Sequence, residues 1–189
     1  MDVKIYDSSD EIVQNALNHH MTTLLNKPTD VELEITVEML VYSIPKISNL
    51  ETTVLKGKIV EADVVEKFLS INPSHKNVRV HTEITGSLKK NSLLFGIQFL
   101  HLSDETLPVN IILPYFTGEH LTIATPKCDN SAIIEFLNSW ISCKKYQNIR
   151  TVIILSTNGS PMNPTEILGN FRTSRGPSRR PYEYMYPVK

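Results

Sequence analysis

Three features of the chain predict an α+β fold: runs of alternating apolar and polar residues, short polar turns between successive runs, and helical stripes grouped apart from them. The sheet is expected to be mainly antiparallel with amphipathic helices packed on one side, because strands joined by short turns pair as hairpins. At 189 residues the chain fits one domain, and 41% hydrophobic with 21% charged residues suffices to bury a core. Collagen, coiled coil and wholly disordered chains are excluded. No internal repeat is read at a period of 20 to 50 residues.

The first element expected is a helix within residues 1–30. Ser8-Ser9-Asp10-Glu11 has capping-box spacing, and Ile12, Val13, Ala16, Leu17, Met21, Leu24 and Leu25 recur with helical period until Pro28. A core domain over 31–157 follows. From Val31 to Tyr42 the alternation has period two, which reads as a strand buried on one face. Residues 48–69 return to a helical pattern, weakened by Gly57 and by the β-branched run Thr52-Thr53-Val54, so two short helices are expected there.

Val78, Val80, Thr82, Ile84 and Leu88 alternate with Arg79, His81, Glu83, Thr85 and Ser87 as a strand. With a turn at Lys89-Lys90-Asn91-Ser92 and a more apolar strand from Leu93 to Leu102, it reads as a hairpin. A further strand is expected from Leu107 to Tyr115, at a sheet edge because Pro108 and Pro114 lack a ladder donor. Leu121 to Thr125 is a short strand. Asp129 or Asn130 caps a helix with Ile133, Ile134, Phe136, Leu137, Trp140 and Ile141 on one stripe, and Thr151 to Ser156 is the last strand. Residues 158–189 read as a flexible basic tail rich in Pro, Arg and Tyr, in which only Ile167, Leu168 and Phe171 offer anchors.

Motifs for chemistry are missing. The seven glycines never form GxGxxG or GxxxxGK[ST], and neither HExxH nor GxSxG occurs. No enzyme activity, cofactor or metal is therefore expected. Cys128 and Cys143 lie outside any CxxC pattern, which points to a reducing compartment. His120 with Cys128 is the one nucleophilic pair that can be assembled, and His81 with His101 the one histidine pair on neighbouring strands. His20 falls on the first helix's apolar stripe and reads as a packed histidine. Asp104 and Glu105, adjacent in a turn, read as solvated charge.

Net charge is −1, but residues 1–38 hold two Lys and Arg against eight Asp and Glu, while residues 170–189 hold five against one. Arg172, Arg175, Arg179 and Arg180 of the tail, with Lys89, Lys90, Lys144 and Lys145, are the candidate contacts for nucleic-acid or lipid phosphate. Pro181, Tyr182, Tyr184 and Tyr186 are the candidate partner peptide. The longest apolar stretches are about half the ~20 residues of a membrane-spanning helix. No transmembrane segment is expected. Met1 to Asp10 carry three aspartates and no apolar run, so no signal peptide is expected either, and the location read from this is cytoplasmic.

An arm of charged residues, a strand from Glu32 to Ser43, a central antiparallel sheet, an amphipathic helix with one tryptophan, and a closing strand from Thr151 to Leu155 together resemble the matrix proteins of rhabdoviruses. The likeness is one of layout and size over residues 30–156. It implies a non-enzymatic viral structural protein of the host cytoplasm or virion, self-associating, that bridges a nucleoprotein, RNA or an anionic membrane surface through a basic arm. The alternatives are a single-stranded nucleic-acid-binding or movement-type protein, and a small enzyme without a local motif.

Overall fold

The computed structural model describes residues 31–40, 44, 46, 50–104, 106–157 and 162–171. The helix expected within residues 1–30 and the segment 172–189 lie outside the described residues. The described chain runs β1 (Val31–Thr36), α1 (Val37–Leu40), β2 (Leu50–Glu61), α2 (Ala62–Ile71), β3 (Asn77–Thr85), a 3-10 turn (Leu93–Gly96), β4 (Phe99–Ser103), α3 (Val109–Ile112), β5 (His120–Thr125), α4 (Asn130–Ile141), β6 (Thr151–Ser156) and α5 (Pro164–Gly169).

The six strands form one sheet in the order β1-β2-β3-β4-β5-β6, and every neighbouring pair is parallel. This corrects the expected antiparallel sheet: the fold is α/β. Parallel crossovers are right-handed, so a strand order that never reverses puts every connection on the same face. Burial agrees with that. Leu33, Thr53, Val78, Leu100 and Leu121 share one row of the sheet, Ile35, Leu55, Val80, Leu102 and Ile123 the next, and all ten are buried. Val37, Leu40, Val65, Phe68, Val109, Ile112, Ile133, Phe136 and Ile167 of the five helices join these rows in one core.

Several local expectations are corrected too. Residues 50–61 form a strand rather than helix; the β-branched run Thr52-Thr53-Val54 sits in its centre, where such side chains fit the pleat. Gly57 breaks the register with β3, and at φ 147° it lets β2 pass α1, since a Cβ there would lie 2.5 Å from Val37 Cγ2. The expected hairpin does not form. Residues 86–98 cross over to a parallel β4, Leu93–Gly96 is a 3-10 turn, and Lys89-Lys90 lies in the crossover. Leu107 to Tyr115 is no edge strand: Pro108 precedes α3, whose Val109 and Ile112 are buried. The true edges are β1 and β6.

Other elements follow the sequence. Asp129 caps α4 by accepting from Ser131 N–H at 2.9 Å, β3 occupies the alternating run that predicts it, and β6 covers the expected last strand, Thr151 to Ser156. Within the segment read as tail, Asn163 caps α5, and Asn130 ties that helix to α4 by donating to Glu166 at 2.7 Å and accepting from Asn163 N–H at 3.2 Å. Ile167 is buried, Phe171 packs against the core, and Leu168 is exposed.

Candidate interaction surface

The second face of the sheet follows from strand period two. Residues one position from each core row point the other way, and among the described residues no helix packs on them. At the β1–β3 end this face is charged. Lys56 Nζ pairs with Glu34 at 2.7 Å, and Arg79 on β3 reaches over β2 to Glu32 on β1 at 3.6 Å. Between them Val54 is only 4% exposed although it stands outside the main core. The pairs are half-exposed, so they order the face more than they stabilise the fold.

At the β4–β6 end the face is aromatic and apolar. Phe99 on β4 stacks on His120 of β5 with ring centroids 4.6 Å apart and planes within 2°. His81 of β3 and His101 of β4 lie 5.1 Å apart, so the structure brings this sequence-predicted pair together, on parallel strands rather than in a hairpin. Burial, followed by Lys56 and Arg79 and opposed by Glu34, holds His81 below the ordinary imidazole range; burial, His81 and Arg79 do the same at His101. Both imidazoles are neutral at neutral pH. Beyond them Ile153 and Leu155 of β6 are 45% and 44% exposed, and Phe99 is 41% exposed. Large apolar side chains recurring on one open face form a patch rather than scattered surface residues.

The other sequence-predicted groups do not assemble. His120 begins β5 and Cys128 follows its end, so a six-residue strand of about 20 Å separates them. Burial pushes the Cys128 thiol up, partly offset by Ser156, and the thiol donates to the Thr125 carbonyl at 3.6 Å. A nucleophilic dyad is absent there. Lys89 and Lys90 lie beyond the carboxyl end of β3, where Lys89 pairs with Asp63 at 3.7 Å and Lys90 sits over the Tyr115 ring; Lys144 and Lys145 follow α4, at the amino end of the sheet. The two pairs therefore do not share a phosphate-binding surface. Arg172, Arg175, Arg179, Arg180, Pro181, Tyr182, Tyr184 and Tyr186 lie outside the described residues, as do His20 and Glu105. Among the described residues no group of three or more His, Cys, Asp or Glu is placed to hold a metal ion. No helix among them is long and apolar enough to cross a membrane.

Asp104 is the main correction to the site reading. It is 3% exposed, not solvated: Oδ2 accepts from Ile84 N–H at 2.8 Å, and Oδ1 from Thr106 N–H, Thr106 Oγ1 and Leu107 N–H at 2.6, 2.7 and 3.2 Å. It anchors the exits of β3 and β4 together. A polar cleft of about 570 Å³ lies at the opposite end, where Gln98, Glu119 and Arg150 precede β4, β5 and β6. Glu119 accepts from Gln98 at 2.9 Å and pairs with Arg150 at 3.1 Å, which clasps three strand starts. Arg79 reads in sequence as the solvent half of its strand, and Phe99 and Ile153 as members of continuous apolar runs. Only their shared parity relative to the core rows marks them.

Set against known protein families, curated proteins and solved structures, the chain matches none of them.

Proposed function

We propose that this protein is a non-enzymatic interaction module that seats another protein on the open face of its sheet. The carrying observation is an all-parallel sheet whose helices pack on one face, while the other face buries Val54 alone among the described residues. Parallel sheets are ordinarily covered on both faces, and those that keep one face open are solenoid-type arrangements that use it as a binding surface. Strands start at residues 31, 50, 77, 99, 120 and 151, so successive strands follow one another across the sheet at irregular intervals without a sequence repeat. Six strands at ~4.8 Å spacing make a platform roughly 24 Å wide.

Its chemistry fits a protein partner. Phe99, His120, Ile153 and Leu155 supply apolar area at one end, while Glu32, Glu34, Lys56 and Arg79 supply paired charge of both signs at the other. A nucleic-acid surface needs a cationic excess, and the paired glutamates remove it here. The rhabdovirus-matrix likeness adds nothing to this reading, because the antiparallel sheet it drew on is not the sheet observed.

The test is partner capture followed by binding measurements on purified proteins, comparing wild type, Phe99→Ala with His101→Ala, and Glu135→Ala on α4. Loss of at least tenfold in affinity for the face variant alone, about 1.4 kcal/mol or more, is expected. A partner indifferent to the face but weakened by Glu135→Ala overturns the reading.

A further inference from the structure

β6 ends the sheet, and its outer backbone edge has no strand beside it among the described residues. Exposed edges are ordinarily blunted by charge, proline or a bulge. Thr151-Val152-Ile153-Ile154-Leu155-Ser156 has none of these: no ionisable side chain, no proline, and an unbroken register of six pairs to β5. The helical layer also stops short of it. Val152 and Ile154, on the core side, are only half-buried, where Leu121 and Ile123 one strand earlier are 1% exposed. The opposite edge, β1, is protected by Glu32 and Glu34.

We propose that the partner of β6 is a second copy of this chain, paired antiparallel about a twofold axis normal to the sheet and passing midway between the two copies' Ile153 residues. Rotation about such an axis reverses strand direction while keeping the core face of both copies on the same side, so the contact is isologous and closed. In this register Ile153 faces Ile153 of the second copy, Thr151 faces Leu155 on the open side, and Val152 faces Ile154 on the core side. From Thr151 to Leu155 every cross-strand pair is then apolar or apolar against threonine, the kind that stabilises antiparallel strands, and at the strand's end Ser156 faces Arg150. The same operation applied to β1 about Leu33 sets Glu32 against Glu34 twice, which like-charge repulsion disfavours. Charge thus selects β6 over β1 as the self-pairing edge. Six residues bury less than the ~800 Å² per partner of a standard interface, so the dimer is weak and concentration-dependent. Two sheets join into one of twelve strands with both open faces on the same side.

Two experiments on the full chain test this independently of the partner-binding reading. In sedimentation velocity, wild type shifts from monomer to dimer as concentration rises, Ile153→Lys stays monomeric with unchanged circular dichroism and melting, and Phe99→Ala with His101→Ala still dimerises. In a Cys128→Ser, Cys143→Ser background, Ile153→Cys forms a disulfide-linked dimer on mild oxidation. Residues directly opposite in an antiparallel pair bring Cβ atoms near disulfide range. Thr151→Cys, which faces Leu155, gives far less. A wild type monomeric at every concentration, a dimer that survives Ile153→Lys, or equal cross-linking at both positions overturns the proposal. So does a dimer that forms only after deletion of residues 172–189, which would make the chain's own C-terminal segment the occupant of this edge.

Discussion

Removing the Asp104 carboxylate tests whether one buried side chain holds the exits of β3 and β4 together. In Asp104→Ala the N–H groups of Ile84 and Leu107, on residues 3% and 6% exposed, lose their acceptor, and Thr106 loses two bonds. A buried donor left unsatisfied costs about 1–3 kcal/mol. Two such donors, less the desolvation recovered when the carboxylate leaves, set the expected loss at about 3–4 kcal/mol, a large part of the ~5–15 kcal/mol of an ordinary domain. Asp104→Asn separates geometry from charge. Its one oxygen can replace Oδ1 toward Thr106 and Leu107, but its amide then opposes the Ile84 N–H, donor against donor, so about half the loss is expected.

Urea unfolding followed by fluorescence of Trp140, the single tryptophan, gives the free energies. Amide exchange at Ile84 and Leu107 locates the effect. A loss under about 1 kcal/mol in Asp104→Ala, the net worth of one ordinary hydrogen bond, refutes the reasoning. So does a large loss that leaves both amides as protected as in wild type.

Three further outcomes follow from the same structure. Gly118→Ala places a Cβ 2.0 Å from the Ile97 carbonyl oxygen and 2.6 Å from Phe116 Cζ, and should cost at least about 2 kcal/mol in urea unfolding; Gly96→Ala meets nothing within 4 Å and should stay within about 1 kcal/mol of wild type. Burial lowers the proton affinity of His75, and burial with neighbouring cations lowers those of His81 and His101 below the ordinary 6.5. The unfolded chain then binds protons that the folded chain refuses, so stability is full above 6.5 and declines as pH falls through it toward the depressed values. The urea midpoint should drop between pH about 7.5 and about 5.5, less steeply in His75→Gln, and a midpoint that rises over that interval contradicts the assignment. Cys143 is exposed while Cys128 is half-buried with its thiol pushed up, so a thiol reagent should modify Cys143 first, by roughly tenfold or more, as read by peptide mass spectrometry; equal rates would refute it.

Much of the chain's local structure is legible because its signals are short in range. Asp129 with the apolar stripe of α4, the alternation through Val78 to Thr85, and the run Thr151 to Ser156 each carry their own pattern. In residues 50–61 two patterns compete: a helical spacing runs through them, while Thr52-Thr53-Val54 favours the strand that forms. Leu107 to Tyr115 is the opposite case, since Pro108 suits a residue just before a helix as well as it suits an edge strand. Asp104 is not legible as buried, because a turn of polar residues looks solvated until the fold sets a neighbouring backbone N–H against it. That neighbour, Ile84, is twenty residues away, beyond any local pattern.

Strand direction was lost for a deeper reason, and it is the reason that bears on function. Strands of a parallel sheet normally reveal themselves as continuous apolar runs, because helices cover both faces. Here the helices lie on one face, so Arg79, His81, His101 and Thr122 stand where a second helical layer would demand Val or Ile, and β1, β3, β4 and β5 alternate as hairpin strands do. The short polar turns argue for antiparallel pairing, and the alternation, which is the imprint of the uncovered face, gives no sign against it. Charge and aromatic groups are placed on that face by strand rather than by position along a strand: ion pairs gather on β1 to β3, rings on β4 and β5, aliphatic groups on β6. A gradient across six strands serves no purpose for a core on the other side of the sheet; under the proposed function it would give a partner lying across the strands a fixed orientation, apolar end over β6 and charged end over β1.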